Sequence, residues 1–416
     1  MHFGIVTPPV PGHIHPFGAL GRELISRGHR VTVFHMPDIA ERIANEGLEF
    51  VPIGASDHPK GSLPVSLAEL GKHKGTAALR FTIKAVAKTT NMMLRDAPVA
   101  MREAGVQMIL ADQMEPAGCA LSEHLGIPFV TICNALLLNR EPGMPPAFSP
   151  FPYSASPLAR VRNRVGYAVS DFMTRPIRKV VERYRADWGL KPHAIADESF
   201  SSLAQISQLP RQFDFPRHAL PPTFHYVGPV RGASTKKIPF PWERLDSRPL
   251  VYASLGTLQN SRLDVFRAFA DACAGLSVQL VITHGGGLDE ASAATLPREA
   301  IVVSYAPQLE LLKRATLTLT HAGLNTVLDT LSCGVPMVAI PITYEQPAIA
   351  ERVRRCGAGE MLDLDKLTAA TLRPLIEKVL DTSSYAGHAR TMAAHIAKAR
   401  GVMRAAEIIE QVAGCS

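Results

Sequence analysis

The chain has 416 residues, of which 46% are hydrophobic and 19% are charged, and its formal net charge is +7. That length is more than one domain usually needs, so we expect two domains. The small positive excess can attract an anionic ligand or a membrane surface, but it does not indicate nucleic-acid binding. Six cysteines without a CxxC pair argue against a zinc knuckle or a disulfide framework and favour a reducing, cytoplasmic location. No apolar run reaches the roughly 20 residues that span a bilayer, and no signal peptide is recognised.

The first half of the chain alternates strands with helices, as α/β folds with parallel sheets do. HFGIVT predicts a strand, PPVPGHIHP a loop, FGALGRELISRGH a helix and RVTVFH a second strand, which together make a βαβ unit. Another helix is expected near residues 39–46. Further along, QMILAD and PFVTICN predict buried parallel strands, with the helix AGCALSEHLG between them.

A Pro-rich segment divides the chain. Residues 216–247 break every periodic pattern and predict a linker between an N-terminal domain of residues 1–215 and a C-terminal domain of residues 248–384. In the second domain we expect five strands, at PLVYASLGT, VQLVITHGGG, AIVVSYAPQ, ATLTLTHAG and PMVAIPI. Each strand ends in small or polar residues, and open parallel sheets bind their ligands at these strand ends. Residues 385–416 predict an Ala-rich helical segment.

One strand of the second domain leads into a candidate anion site. In the stretch THAGLNTVLDTLSCGVPMVAIPITYEQ, a helix is expected to begin near Leu324 and to direct its free N–H groups and positive dipole end at the strand tip. Gly323 leaves room for a phosphate group. Asn325 and Thr326 either cap the helix or donate hydrogen bonds to phosphate oxygens.

Polar side chains around that helix suit a sugar. Asp329 lies one turn further along the same helix face and is placed to accept hydrogen bonds from hydroxyl groups. Glu345 and Gln346 follow the next strand and supply acceptors and a donor. Taken singly, these residues are ordinary helix caps and solvated loop residues. Their spacing favours a ligand with a phosphate in the middle and polyols at its ends.

The motifs YAPQ, HAGLNTVLD, GVPMVAIP and EQ resemble the nucleotide-sugar signature of the UDP-dependent glycosyltransferases with the GT-B fold. In that family two Rossmann-like, doubly wound α/β domains face each other across a cleft. PPVPGHIHP resembles the acceptor-side loop of the family, and VYASLGT resembles its phosphate-contacting turn. The resemblance implies that a UDP-sugar is the co-substrate, that no other cofactor is needed, and that residues 385–416 pack back on the N-terminal domain.

The resemblance also assigns roles in the donor site. Tyr305 takes the place of the tryptophan that stacks on uracil, and the backbone of Ala306 together with Gln308 reads the base. Leu324 stands where plant members have a second tryptophan. The remaining donor contacts are to the diphosphate by Thr257, His321, Asn325 and Thr326, to the ribose by Asp329, and to the hexose by Glu345 and Gln346.

The catalytic groups are expected in the N-terminal domain. By resemblance, His13 is the general base and Asp112 is the carboxylate that orients it. An alcohol must lose its proton to attack an anomeric carbon, and an imidazole that titrates near pH 6.5 accepts that proton. A carboxylate on the far ring nitrogen fixes the tautomer, and attack opposite the leaving UDP inverts the anomeric centre. His15 is a second candidate for the general base. Either histidine can instead close the turn through a hydrogen bond to the backbone.

Other chemistries fit the sequence less well. No metal site is expected, because the DLD motif at residues 363–365 is interpreted as an N-cap, Asp365, and a surface carboxylate, Asp363. An NAD-dependent oxidoreductase needs GxGxxG after its first strand, and PPVPGH lacks that spacing. HGGG at residues 284–287 suggests a hydrolase oxyanion hole, but no GxSxG motif is present. A sugar-nucleotide binder without activity and an epimerase remain as alternatives.

The acceptor is indicated by the N-terminal motifs. ILADQMEPAG, NALLLNREPGMPP and VGYAVSDFMTRPI are most similar, within the family, to bacterial zeaxanthin glucosyltransferases. This resemblance implies glucose transfer from UDP-glucose to a lipophilic, hydroxylated acceptor such as a carotenoid. The alternative is a broad-specificity enzyme that acts on flavonoids or macrolides.

A basic amphipathic stretch bears on that choice. Residues 160–185 contain eight basic residues interleaved with apolar ones such as Val161, Val165 and Phe172. Such a stretch either makes peripheral contact with the inner face of a membrane or is a helix that packs its apolar side inward.

Overall fold

The computed structural model describes residues 1–73, 75–232, 238–257 and 260–414. Its strands are β1 (His2–Val6), β2 (Arg30–His35), β3 (Glu49–Pro52), β4 (Met108–Asp112), β5 (Phe129–Cys133), β6 (Gln205–Ser207), β7 (Phe224–Tyr226), β8 (Leu250–Ser254), β9 (Gln279–Thr283), β10 (Ile301–Val303), β11 (Ala315–Thr320), β12 (Met337–Ala339) and β13 (Gly359–Met361). Its α-helices are α1 (Pro11–Ser26), α2 (Ala40–Asn45), α3 (Ser62–Lys72), α4 (Gly75–Ala104), α5 (Gly118–Leu125), α6 (Pro157–Asp187), α7 (Leu263–Cys273), α8 (Glu290–Ala293), α9 (Gln308–Leu312), α10 (Leu324–Ser332), α11 (Gln346–Arg355), α12 (Ala369–Asp381), α13 (Ser383–Ala399) and α14 (Gly401–Val412).

The strands form two sheets, one in each half of the chain. The first has the order β3-β2-β1-β4-β5-β6-β7 and the second the order β10-β9-β8-β11-β12-β13. All the strand pairs are parallel. Each sheet reverses its order next to its first strand, as doubly wound sheets do, and ligands bind at the carboxyl ends of the strands beside that reversal. The two expected sites lie at these positions, after β1 and β4 in one sheet and after β8 and β11 in the other.

Helices cover both faces of the first sheet, which explains the continuous apolar runs of its strands. The helix α1 packs on one face, against Ile5 of β1 and Leu110 of β4. The helices α4, α5 and α6 pack on the other face. Close contact between α5 and β4 depends on Gly118, because a Cβ there would lie 2.4 Å from the Cβ of Ala111.

The end of the chain returns to the N-terminal half. Four residues of α14 lie in the same apolar cluster as α1 and β1, and all four are buried: Ala405, Ala406, Ile408 and Ile409. Next to them, Glu410 accepts hydrogen bonds from Arg27 at 2.8 Å and from His29 at 3.0 Å. The last helix therefore completes the core of the first domain.

The two halves share a buried interface. Leu209 and Phe213 from the first half lie in one apolar cluster with Val327 and Ile349 from α10 and α11. Beside this cluster, the buried carboxylate of Asp214 accepts hydrogen bonds from the Arg352 guanidinium at 2.8 and 3.0 Å. The Arg217 guanidinium, the Tyr226 hydroxyl and the backbone N–H of Phe215 also donate to this carboxylate.

Some predicted local features differ from the structure. The helix α1 begins at Pro11, so residues 11–16 of PPVPGHIHP, predicted as a loop, are helical, with the proline in the first helical position that suits it. Residues 224–226 of the expected linker form β7, so the first sheet extends beyond residue 215; this strand has only three residues and follows prolines, which hid its pattern. Residues 233–237 of the linker lie outside the described part of the chain. The N-cap of α12 is Thr368, which makes a capping box with Thr371. The prediction that Asp365 caps this helix is therefore wrong.

Candidate functional site

The two residues expected to act in catalysis meet at the carboxyl edge of the first sheet. His13 lies in the first turn of α1, directly after β1, and Asp112 is the last residue of the neighbouring strand β4. The Nδ1 of His13 is 2.7 Å from the Oδ2 of Asp112. The side-chain amide of Asn134 also donates to Oδ2, at 2.9 Å, and the backbone N–H of Met114 donates to Oδ1, at 2.8 Å. These contacts fix the orientation of the carboxylate.

The hydrogen bond between His13 and Asp112 decides which ring nitrogen of His13 is free. A carboxylate oxygen accepts from an N–H group, so Nδ1 carries the proton and Nε2 has the lone pair. Burial acts to lower the pKa of the His13 imidazole, but the carboxylates of Asp112 and Glu345 outweigh it, and the pKa lies above its ordinary value of 6.5. The arrangement is that of a general base held by a carboxylate.

His15 is in a different environment. Its Nδ1 lies 2.6 Å from the Oε1 of Glu46, and its side chain is 60% exposed. Arg22 also donates to Glu46. His15 therefore lies in an ion-pair cluster on the outer side of α1, and its partner is Glu46 instead of Asp112. The geometry therefore favours His13 over His15 as the base.

His321 follows β11 at the edge of the second sheet and is buried. Burial lowers the pKa of its imidazole to about 4, so the ring is neutral at neutral pH. A Cβ on Gly323 would lie 2.4 Å from the Nε2 of His321, and a Cβ on Gly256 would lie 2.9 Å from the same atom. The next residue, Ala322, has a φ of 63°, a left-handed conformation that is costly without glycine and is typical of functional sites.

The helix α10 begins at Leu324 with Gly323 as its N-cap, and no side chain caps it. Of the two alternatives for Asn325 and Thr326, the one in which they cap the helix is therefore excluded. Instead, the Asn325 amide donates to the backbone oxygen of Gly12 at 2.8 Å, one residue before His13. Thr326 is buried in the first turn. The free N–H groups of this turn remain available to an anion, and Asn325 brings that turn next to His13.

Asp329 is held on both oxygens. Arg231 donates from its Nε to Oδ1 at 2.7 Å, and Gln308 donates from its Nε2 to Oδ2 at 2.8 Å. The Oε1 of Gln308 in turn accepts from the Tyr252 hydroxyl at 3.2 Å. The side chain of Gln308 is thus engaged in orienting Asp329, and each carboxylate oxygen keeps a second lone pair for a hydroxyl group.

Glu345 and Gln346 lie at the start of α11. The Oε1 of Gln346 accepts from the backbone N–H groups of Ile342 and Thr343 at 2.8 and 2.9 Å, which leaves its amide hydrogens as donors. Burial raises the pKa of Glu345, and the nearby His13 opposes that rise. Glu345 follows the second sheet and His13 follows the first, and their side chains are close enough to interact electrostatically.

The remaining expected donor residues lie around the second sheet edge. Tyr305 is 56% exposed, so its ring has a free face, whereas Ala306 is buried. Thr257 is exposed after β8, and residues 258–259 lie outside the described part of the chain. The HGGG motif forms a tight turn, in which Gly286 has a φ of 79° and a Cβ would lie 2.9 Å from the Tyr305 hydroxyl.

Three residues that the sequence did not single out help to build the site. Arg231, from the expected linker, donates from Nη2 to the Oδ1 of Asn325 at 3.0 Å as well as to Asp329. Gln208 accepts from Arg231 at 3.0 Å and donates to Asn325 at 3.2 Å. Asn134 holds Asp112. No periodic pattern marks these residues, because their partners lie far away in the chain.

A candidate metal group lies elsewhere. Among the described residues, Cys119, Glu123 and His193 offer three ligand atoms within 4.8 Å of one another. Arg185 occupies the second oxygen of Glu123 at 2.9 Å, and this cation disfavours a metal ion there. In the DLD motif, Asp363 pairs with Lys366 at 2.6 Å.

One large cavity lies away from the expected site. It has a volume of about 990 Å³ and is lined by residues of the interface between the halves, including Asp214, Phe215 and Arg352. None of the expected catalytic or donor residues lines it.

Comparisons with known proteins show the family of the chain. The family model described as UDP-glucoronosyl and UDP-glucosyl transferase matches residues 62–402. The zeaxanthin glucosyltransferase of Pantoea ananas is 36% identical over 99% of this chain and 96% of its own length. The zeaxanthin glucosyltransferase of Pseudescherichia vulneris is also 36% identical, over 99% of this chain and 97% of its own length.

Solved structures show the same fold. The calicheamicin glycosyltransferase CalG4 aligns with a TM-score of 0.76 and 24% identity over 99% of this chain and 98% of its own. The glycosyltransferase of kitacinnamycin aligns with a TM-score of 0.75 and 23% identity over the same shares. The predicted GT-B architecture of two doubly wound α/β domains is confirmed. The chain therefore belongs to the UDP-glucoronosyl and UDP-glucosyl transferase family, and it is a glycosyltransferase that uses a UDP-sugar donor.

Proposed function

We propose that this enzyme transfers glucose from UDP-glucose, with inversion at the anomeric carbon, to a terminal hydroxyl group of a carotenoid such as zeaxanthin. The observation that carries the proposal is the pair of His13 and Asp112 facing the start of α10 across the two sheets. Two relatives named as zeaxanthin glucosyltransferases, similar over the whole chain, support the acceptor and the sugar.

The first domain activates the acceptor. The hydroxyl proton of the acceptor passes to the Nε2 of His13 as its oxygen forms a bond to the anomeric carbon. Asp112 accepts the hydrogen bond from Nδ1 and stabilises the imidazolium that results. Because the attacking oxygen approaches from the side opposite the diphosphate, the configuration at the anomeric carbon inverts.

The second domain stabilises the leaving group. The bond between the anomeric carbon and the diphosphate oxygen breaks, and the electron pair leaves with UDP. The free N–H groups of α10 and the neutral imidazole of His321 donate hydrogen bonds to the developing charge. Asp329 binds the ribose hydroxyls, Glu345 and Gln346 bind the hexose, and Tyr305 stacks on the base. In this proposal no metal ion takes part.

The experiment that tests this function is a mass-spectrometric screen of products. The purified enzyme is incubated with UDP-glucose, UDP-galactose or UDP-glucuronate, each against zeaxanthin and against a flavonol. We expect zeaxanthin glucosides from UDP-glucose, with the β configuration by NMR. Transfer to the flavonol alone would establish the broad-specificity alternative, and the absence of transfer from every donor would contradict the proposal.

A further inference from the structure

The helix α6 carries an apolar stripe on the face that points away from the protein. Its residues Ala159, Asn163, Val181 and Arg185 are buried against the first domain. Five apolar side chains are instead between 52% and 79% exposed, and we call them the outer stripe: Leu158, Val161, Val165, Val169 and Phe172. At 3.6 residues per turn, these five lie within an arc of about 80°, roughly opposite the buried residues.

A contiguous apolar stripe in water requires an explanation, although single exposed apolar residues do not. The expectation that α6 packs its apolar side inward holds only for part of the helix, because Tyr167, Ile177 and Val180 are partly buried. None of the helices in the described part of the chain is long and apolar enough to cross a membrane. The exposed stripe and the buried opposite side make α6 an amphipathic helix with an apolar outer face.

Basic residues border the stripe. Arg164, Arg175 and Lys179 are exposed and lie along one side of it. Within the described residues, these three side chains have no hydrogen bond or ion pair. Two acidic residues lie in this region: Asp171 is already paired with Arg140 at 2.8 Å, and Glu182 lies three residues beyond Lys179. The border therefore offers unpaired positive charge next to an apolar surface.

We propose that the outer stripe and its basic border dock this enzyme on an anionic lipid bilayer. The apolar side chains enter the boundary between headgroups and acyl chains, while the guanidinium and ammonium groups remain at the level of the lipid phosphates. Helices with this combination lie in the plane of the interface, and their binding increases with anionic lipid content.

A second copy of the chain fits this face less well. A stable protein interface buries about 800 Å² and roughly 20–30 residues on each side, far more than five side chains provide. Pairing two such faces would also bring two sets of unpaired arginine and lysine side chains together, in a protein whose net charge is +7. An anionic surface removes that repulsion.

The docking face is connected to the catalytic edge of the first sheet. The segment between β5 and α6 leaves the sheet at Asn134, which bonds to Asp112, and returns across α6. It contacts α6 at Gly166, where a Cβ would lie 3.0 Å from Pro146 and 3.1 Å from Phe151. Docking would therefore place the helix that this segment contacts at the membrane surface.

The test is sedimentation of the full-length enzyme with lipid vesicles and no substrate. One set contains phosphatidylglycerol and phosphatidylcholine in equal parts, and the other contains phosphatidylcholine only. We expect binding to the first set that weakens as salt is added, and little binding to the second. The double variants V165D/F172D and R164E/R175E should each lower the bound fraction at least about tenfold.

Matched controls separate docking from folding. M403D changes an exposed apolar residue on α14 and R298E changes an exposed arginine of the second domain, and both should bind vesicles as the wild type does. Calorimetric UDP affinity should be the same in all variants.

Absence of wild-type binding to the anionic vesicles, or equal binding to both sets, would overturn the proposal. So would a dimer in light scattering that V165D/F172D converts to a monomer. Because no sugar donor or acceptor is used, failure here would leave the transferase proposal untouched.

Discussion

At the residue scale, the proposed mechanism makes the protonation of His13 the step that sets the pH range of the reaction. Burial lowers the pKa of its imidazole, and Asp112 and Glu345 together raise that pKa above 6.5. A general base must be deprotonated, so kcat/KM should rise with pH to a half-maximum above 6.5. In D112N the raising charge is lost, and the half-maximum should move to lower pH while the maximal rate falls about 100-fold or more. An unchanged pH profile in D112N would contradict the pairing.

Gly323 provides a second test at this scale. Its φ of −64° suits alanine, so the backbone of G323A is unstrained, but the new Cβ would meet the His321 imidazole at 2.4 Å. We expect the displaced ring to weaken UDP binding at least about tenfold, about 1.4 kcal/mol, and uridine binding much less. Calorimetry measures both affinities. G387A is the control, because a Cβ there meets nothing within 4 Å. Wild-type UDP affinity in G323A would exclude His321 from the diphosphate site.

At the scale of elements, the proposed mechanism assigns to α10 the positive charge that other enzymes obtain from a metal ion. Its first turn has no side-chain cap, so its N–H groups remain free to bind an anion. Chelation with EDTA should therefore leave the rate nearly unchanged, and C119S should leave it unchanged as well. Initial rates before and after dialysis against EDTA measure this. Loss of activity that magnesium restores would contradict a metal-free mechanism.

The elements also show how far the sequence alone can lead. The strand tips are predictable, because buried parallel strands are continuous apolar runs and the polar residues after them, such as His13 and His321, must gather at one edge. Side-chain contacts across the domains are not predictable in this way. Arg231 lies in a segment without periodicity, and its partner Asp329 is 98 positions away along the chain. For Asn325 the sequence left two roles open, a helix cap or a phosphate contact. The tertiary contacts with Gly12 and Arg231 that determine its position were not predictable.

At the scale of the whole molecule, the last helix joins the end of the chain to its beginning. Ile409 on α14 is fully buried against α1, whereas Met403 on the same helix is 46% exposed. I409A should lower the free energy of unfolding by about 2–5 kcal/mol, because it leaves a cavity in the core of the first domain. M403A should change it by less than about 0.5 kcal/mol. Urea unfolding measures both variants, and equal midpoints would show that α14 does not complete that core.

The central claim is that His13, held by Asp112, accepts the acceptor proton while the second domain binds the nucleotide. The most direct measurement compares turnover of UDP-glucose with zeaxanthin against calorimetric UDP affinity in H13A, with H15A as the control. We predict that H13A loses transfer by about 100-fold or more and keeps its UDP affinity, while H15A keeps both. Wild-type turnover in H13A would contradict the account.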